Sequence, residues 1–191
     1  MAGVLRNMGK HVQFGQRIDE FSGIVALVRT EGNFGCFIGD LAGVSNHGLG
    51  GFPLGMTISS FNSVSLDPPL ILWSLSLASP SLEAFRSASH YAVNVLSAEQ
   101  EMLSNRFASR SGNRFADVAT RPGLADVPLI EGCCAWFECT QHAHYAGGDH
   151  LIFVGYVEQF EQDANVAPLI FHGGNYRRLK KTETHQVHRT D

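Results

Sequence analysis

The stretch Met56–Leu75, MTISSFNSVSLDPPLILWSL, decides how the chain is read. Five hydroxyl side chains (Thr57, Ser59, Ser60, Ser63, Ser65) fall within nine residues; Asp67-Pro68-Pro69 follows, and then the apolar run PLILWSLS over residues 69–76. Thr57–Leu66 and Pro69–Ser76 both read as strands, with the two prolines stopping the pairing and turning the chain between them. In an extended Thr57–Leu66 the odd positions (Thr57, Ser59, Phe61, Ser63, Ser65) share one face, and the even positions (Ile58, Ser60, Asn62, Val64, Leu66) share the other. The odd face is then nearly all hydroxyl around one aromatic. A solvated strand face more commonly carries Lys, Glu or Arg, whereas short hydroxyls approach a ligand closely and both donate and accept. Such a face suits a polar heteroaromatic ring or a polyol; an exposed Ser/Thr-rich strand is the alternative.

Working outward, GIVALVRT (Gly23–Thr30) is a short β-branched run, and the Gly-dense Gly32–Gly55 between it and the hydroxyl strand reads as a long loop. It holds neither G-x-G-x-x-G nor G-K-[ST], so no dinucleotide or P-loop fingerprint is present. Downstream, Ser79-Pro80 is a helix-start signature leading into SLEAFRSAS, and YAVNVLS (Tyr91–Ser97) returns to strand character. Ser97 with Gln100 resembles a capping box opening a second helix, in which Leu103 and Phe107 lie four apart on one face. CCAWFECTQHAHY and HLIFVGYVEQF are strand-like runs joined by Gly147-Gly148-Asp149, a hairpin-type connection. A last short strand, PLIFH (Pro168–His172), precedes GGNYRRL. Six or more strands, two short helices and few βαβ crossovers predict a mainly β fold, an antiparallel β-barrel with helical decoration. One domain over residues 1–179 and a disordered polar tail over 180–191 are expected.

Composition narrows the partners. The chain has 191 residues, 44% of them hydrophobic, and a formal charge of -4 with no long Lys/Arg cluster, which leaves no electrostatic footprint for nucleic acid. No signal-peptide-like run and no stretch of about 18 apolar residues occurs, so a cytoplasmic protein without a membrane span is expected. Cys36, Cys133, Cys134 and Cys139 read as reduced, mostly buried thiols in a chain this long. The alternative is a metal site at CTQHAHYAGGDH from Cys139, His142, His144 and His150, although strand alternation separates Cys139 from His142 and His144 and no C-x2-C partner exists.

Ser79-Pro80-Ser81 adds backbone N–H groups and hydroxyls at a helix start, an arrangement suited to a phosphate without a lysine, and Arg110 at the end of the second helix could add a charge-assisted contact. An ordinary N-cap and an ordinary helix-end arginine are the alternatives. Ring with a polar edge, polyol and terminal phosphate are the parts of flavin mononucleotide.

Taken together, MTISSFNSVSLDPPLILWSL, ASPSLEAF, YAVNVLS, SNRFASR, GGDHLIFVGYVEQF and PLIFHGGNY, in this order and spacing over about residues 18–178, resemble the flavin reductase family. These are small NAD(P)H:flavin oxidoreductases that serve as reductase components of two-component monooxygenases. The resemblance implies an FMN-binding split barrel, Greek-key-like and assembled as a homodimer, with FMN or FAD bound and NADH or NADPH as co-substrate. It places Thr57, Ile58, Ser59, Ser60, Phe61, Ser63 and Val64 along the flavin ring and ribityl chain. Ala78, Ser79 and Pro80, with the neighbouring Ser81, fall at the phosphate, and Arg110 and Ser111 at a further contact. His150 and the turn Phe171, His172, Gly173 and Gly174 match the region approached by the nicotinamide, and His150 is assigned to positioning or polarising it. The chain departs from the family at Gly173, where a basic residue is usual and where Arg177 and Arg178 are displaced beyond Tyr176, and in the long Gly-rich segment 32–51. A non-catalytic flavin-binding or flavin-sensing protein is the rival, favoured by Gly173.

Overall fold

The computed structural model describes residues 26–30, 54–109 and 114–178. The hydroxyl stretch is not one strand but two. β2 (Leu54–Ile58) and β3 (Asn62–Leu66) are separated by Ser59, Ser60 and Phe61, which leave the extended ladder. After β3 the chain turns through Asp67 and Pro68, joined by a cis bond, into β4 (Pro69–Ser76). The prolines turn the chain as expected but do not stop the pairing: Pro69 opens β4 opposite Leu66.

β1 (Ala26–Thr30), β5 (His90–Val95), β8 (Ala135–Gly147) and β9 (His150–Gln162) complete a seven-stranded sheet in the order β2-β1-β5-β8-β9-β4-β3, antiparallel throughout. Consecutive strands β2 and β3 therefore stand at opposite ends of that order. Seven flat strands would put their outer edges about 29 Å apart at the usual strand spacing. The four Cα steps from Ile58 to Asn62 span at most about 14 Å. The sheet must curl until its two edges nearly meet, which makes a barrel split between β2 and β3–β4 rather than one closed by a ladder. Mainly β with short helices is the observed class.

Strict alternation in β4 places Pro69, Ile71, Trp73 and Leu75 inside and leaves Leu70, Leu72, Ser74 and Ser76 half-buried on the other face. Trp73 anchors the interior: it stacks on Phe153 at 4.2 Å and meets Phe85 and Tyr91 edge-on at 5.2 and 5.8 Å. Phe61, displaced from the ladder, is buried in the same core against Phe137, at 5.1 Å. β5 is buried on both faces. Tyr91, Val93 and Val95 point into the barrel, whereas Ala92 and Leu96 pack in a second cluster with Phe107, Leu129, Ile130 and Trp136. Burying each large apolar side chain in these clusters contributes about 1.5–3 kcal/mol.

Two helices cover this frame. α1 (Leu82–Ser87) starts later than Ser79-Pro80 suggests, with Ser81 at its N-cap and no side-chain cap bond. α2 (Glu101–Ala108) starts later than the expected capping box, with Gln100 and not Ser97 at its N-cap, and only half of that box forms, the Gln100 Oε1 accepting from the Ser97 N–H at 2.9 Å. Phe107 is buried and Leu103 packs beside it, as their spacing requires. The β8–β9 hairpin turns through Gly148 and Asp149, with Gly148 at φ +70° where an L side chain would be strained. Three short strands went unread in the sequence: β6 (Thr120–Pro122) and β7 (Pro128–Ile130), which pair with each other, and β11 (Asn175–Arg177), which pairs with β10 (Ile170–His172). Their length leaves too few residues for a periodicity to show. Residues 180–191, and the Gly-rich segment up to residue 53 with His47 and Cys36, lie outside the described residues.

Candidate functional site

The split creates the site. Among the described residues, β4 has no strand on its β3 side beyond Leu72, and β2 has none opposite β1. A cleft of about 400 Å³ opens between these edges, lined by Met56–Ser60, Ser74–Ser76, Ala78–Ser81, the α2 end Phe107–Ser109, Arg114 and His150. Sheet edges carry unpaired backbone donors and acceptors that call for a partner. A flat heterocycle with alternating acceptors and donors on one edge answers that need, and the volume falls within the range of small-ligand sites.

Hydrogen bonds inside the protein decide what each hydroxyl can still do. Ser60 is spent: its Oγ accepts from the Ser74 N–H at 3.0 Å and donates to the Ser74 carbonyl at 3.3 Å. The side chain thus stands in for a stretch of β3, and with its proton committed it can offer a ligand only its second lone pair, beside its backbone. Thr57 donates its proton to the Ser104 carbonyl at 2.6 Å and faces the cleft as an acceptor only. Ser76 and Ser79 are the reverse. The Ser76 hydroxyl accepts from the Ala78 N–H and the Ser79 hydroxyl from the Ser81 N–H, both at 3.3 Å, which leaves both protons to be donated into the cleft. What this turn can offer an anion is therefore its hydroxyls and not the N–H groups of Ala78, Ser79 and Ser81, since Ser79 N–H is also taken, by the Ser76 carbonyl at 2.9 Å. Pro80 has none to offer.

His150 enters through register. It opens β9, pairs across to Ser76 on β4, and is held there by the Leu77 N–H donating to the Asp149 carbonyl at 2.9 Å. Its Nδ1 lies 2.7 Å from Asp149 Oδ1. A carboxylate only accepts, so the proton sits on Nδ1 and Nε2 is left as the ring's other face. The same hydrogen bond, with the attraction of the imidazole beside it, holds the Asp149 carboxyl below its usual range. Arg114, half-buried, is the cation among the described lining residues, and its Nη1 donates to the Gly55 carbonyl at 3.3 Å.

Of the residues expected at the site, Thr57, Ile58, Ser59, Ser60, Ala78, Ser79, Pro80, Ser81 and His150 line the cleft. Phe61 does not, being core, nor do Ser63 and Val64, which lie on β3 with Val64 exposed. Sorting by odd and even position fails because the ladder breaks at Ser59–Phe61 and shifts register between Ser63 and Ser65. Phe171, His172, Gly173 and Gly174 form the exposed tip of the β10–β11 hairpin outside the cleft lining, and Arg110 and Ser111 lie outside the described residues. The sequence reading missed Ser74, Ser76 and Arg114. Ser74 and Ser76 share the half-buried face of β4, and the period-2 pattern of PLILWSLS could have flagged them. As for metal, Cys139 is buried and His142 exposed, and among the described residues no three His, Cys, Asp or Glu side chains converge.

The comparisons with known proteins join this geometry at a family. Residues 20–180 match the family described as the flavin reductase like domain. The chain belongs to the flavin reductase family. Among its relatives in that family, the FMN reductase (NADH) SmoA of Agrobacterium fabrum is 45% identical over 130 residues, 68% of this chain and 73% of the relative. The reductase component of the flavin-dependent trigonelline monooxygenase of Acinetobacter baylyi is 41% identical over 151 residues, 79% of this chain. This flavin reductase family member spans 48% of that relative's length. The NADH:FAD oxidoreductase SgcE6 of Streptomyces globisporus, solved with NAD and FAD fragments, superposes with a TM-score of 0.71 at 32% identity, over 91% of this chain and 94% of that one.

Proposed function

We propose that this chain is an NAD(P)H:flavin oxidoreductase that binds FMN, or FAD, in the cleft and passes a hydride to it from NADH or NADPH. The observation that carries this reading is the polarity of the cleft: an acceptor at Thr57 and bare strand edges on one wall, two donor hydroxyls at Ser76 and Ser79 on the other, and the guanidinium of Arg114. Bound flavin supplies a two-electron acceptor ring. The chain's part is to bind and orient. Ser76 and Ser79 donate to a phosphate, Arg114 offsets its charge, and β2 offers backbone to the ring edge. His150, with its proton fixed on Nδ1, presents Nε2 toward the nicotinamide. This chemistry needs close stacking and few acid–base groups, which agrees with a cleft lined by hydroxyls.

The relatives that are reductase components or subunits of flavin-dependent monooxygenases support such an enzyme as the recipient of reduced flavin, and the cytoplasm, where reduced nicotinamide is made, belongs to the same proposal. Among the described residues no helix is long and apolar enough to cross a membrane. A homodimer belongs to the same proposal, supported by Val64 and Leu66, which are 48% and 51% exposed on the outer face of edge strand β3. The second reading, a flavin-binding protein without turnover, is favoured by the placement of Phe171–Gly174 away from the cleft lining.

The test is to titrate the protein with FMN and FAD by fluorescence quenching and then follow NADH and NADPH oxidation at 340 nm. Flavin-dependent oxidation is expected, with Arg114→Ala weakening FMN by about tenfold, the scale of one charged hydrogen bond. Binding without oxidation selects the second reading, and no binding of either flavin sinks both.

A further inference from the structure

The β10–β11 hairpin is a separate two-stranded sheet, hydrogen-bonded to neither edge of the seven-stranded one. Its base is tied by backbone: Leu169 N–H donates to Leu96 at 2.8 Å, Ala98 N–H to Ala167 at 2.9 Å, and Ser97 bridges Pro168. Beyond that base, side chains set its position. The Tyr176 ring packs edge-on against Phe171 at 5.3 Å, and its hydroxyl donates to Asn105 Oδ1 at 3.1 Å. With that proton committed, the 2.9 Å contact to Ser104 Oγ must be a bond donated by the serine. An exposed pair, Arg178 with Glu99 at 2.9 Å, adds little.

Ser104 is fully buried, and its carbonyl is the group that accepts from Thr57. One residue of α2 is therefore gripped by a cleft side chain on one side and by the hairpin on the other. Three residues later the same helix supplies Phe107 and Ala108 to the cleft wall. The hairpin tip and the flavin cleft are thus referenced to a single helix.

We propose that Tyr176 is a positioning residue, whose hydroxyl locks the β10–β11 hairpin to α2 and so holds the tip Phe171–Gly174 at a set offset from the cleft. Its kinetic consequence rests on the reductase reading above; the lock itself does not. Burial of the serine is what gives the lock its strength, because a freed Ser104 hydroxyl would lose its partner where water does not readily replace it.

Tyr176→Phe keeps the ring against Phe171 and removes only the hydroxyl. Hydrogen exchange at the amides of residues 171–175 is expected to quicken by about tenfold, the loss of roughly one to two net hydrogen bonds. KM for the reduced nicotinamide is expected to rise about fivefold, while kcat and the flavin dissociation constant stay within about twofold. In the Tyr176→Phe background, Ser104→Ala should add no further exchange at the tip, since the shared contact is already gone. Unchanged exchange at the tip overturns the lock. A flavin affinity that falls by the same factor as KM rises also overturns it, because Tyr176 would then be propping up the cleft itself. If the unaltered protein oxidises no reduced nicotinamide, the reductase reading fails and the exchange measurement alone decides the lock.

Discussion

Ser60→Ala tests whether that hydroxyl builds the fold or contacts the ligand. Ser60 Oγ makes two hydrogen bonds to Ser74 backbone, at 3.0 and 3.3 Å, where β4 has run past the end of its pairing with β3. At about 1 kcal/mol net each, their loss amounts to about 2 kcal/mol, with the half-buried Ser74 N–H left to find water. For a chain of this length that corresponds to a fall in Tm of about 4–8 °C. Ser79→Ala is the control. It removes one long bond, 3.3 Å from the Ser81 N–H, in an open turn. About 0.5 kcal/mol is expected there, or 1–2 °C, but also the loss of a donor aimed at an anion, which weakens FMN by about tenfold or more. Differential scanning calorimetry of the flavin-free protein and fluorescence titration with FMN separate the two. Ser60→Ala should lower Tm with a smaller change in affinity, and Ser79→Ala the converse. If Ser60→Ala leaves Tm unaltered and costs tenfold in FMN affinity, Ser60 is a ligand and the account of the split given above is wrong.

Gly155→Ala is expected to destabilise by about 3 kcal/mol or more in urea unfolding, because a Cβ there overlaps the Tyr91 hydroxyl and sits 2.8 Å from Tyr91 Cζ and 3.1 Å from Cys139 Cβ. Tyr91→Phe should recover part of that loss, and alone should stabilise by about 1 kcal/mol, since this buried hydroxyl has no well-formed hydrogen bond among the described residues; full additivity of the two changes would refute the clash. Burial pushes the Cys134 thiol from 9.0 to about 12. The unfolded chain loses that proton first, so stability should decline as pH rises from 9 toward 12, and native Cys134 should resist iodoacetamide at pH 8; rapid labelling, mapped by peptide mass spectrometry, would contradict this.

The elements that were legible have a local cause. Alternation in PLILWSLS, the strand character of YAVNV and the glycine turn at 147–149 are properties of neighbouring residues, and each appears in the structure where it was read. The site was partly legible for the same reason: Thr57–Ser60 and Ala78–Ser81 sit close in sequence and share the cleft. Arg114 was not, because its place at the cleft depends on how the chain after α2 lies against β2, where its guanidinium reaches the Gly55 carbonyl.

Alone, the sequence determined that strands dominate, which face of β4 is apolar and that small hydroxyls gather in two short segments. It could not determine that Ser59–Phe61 carries the chain between opposite edges of the sheet, since that crossing is set by pairings with β1 and β4, made by residues far apart along the chain. Only the curled sheet decides which hydroxyl is a structural substitute, as in Ser60, which is an acceptor, as in Thr57, and which still has a proton to give, as in Ser76 and Ser79. A hydroxyl's chemistry toward a ligand is what remains after its bonds to the protein are made, and those bonds are tertiary.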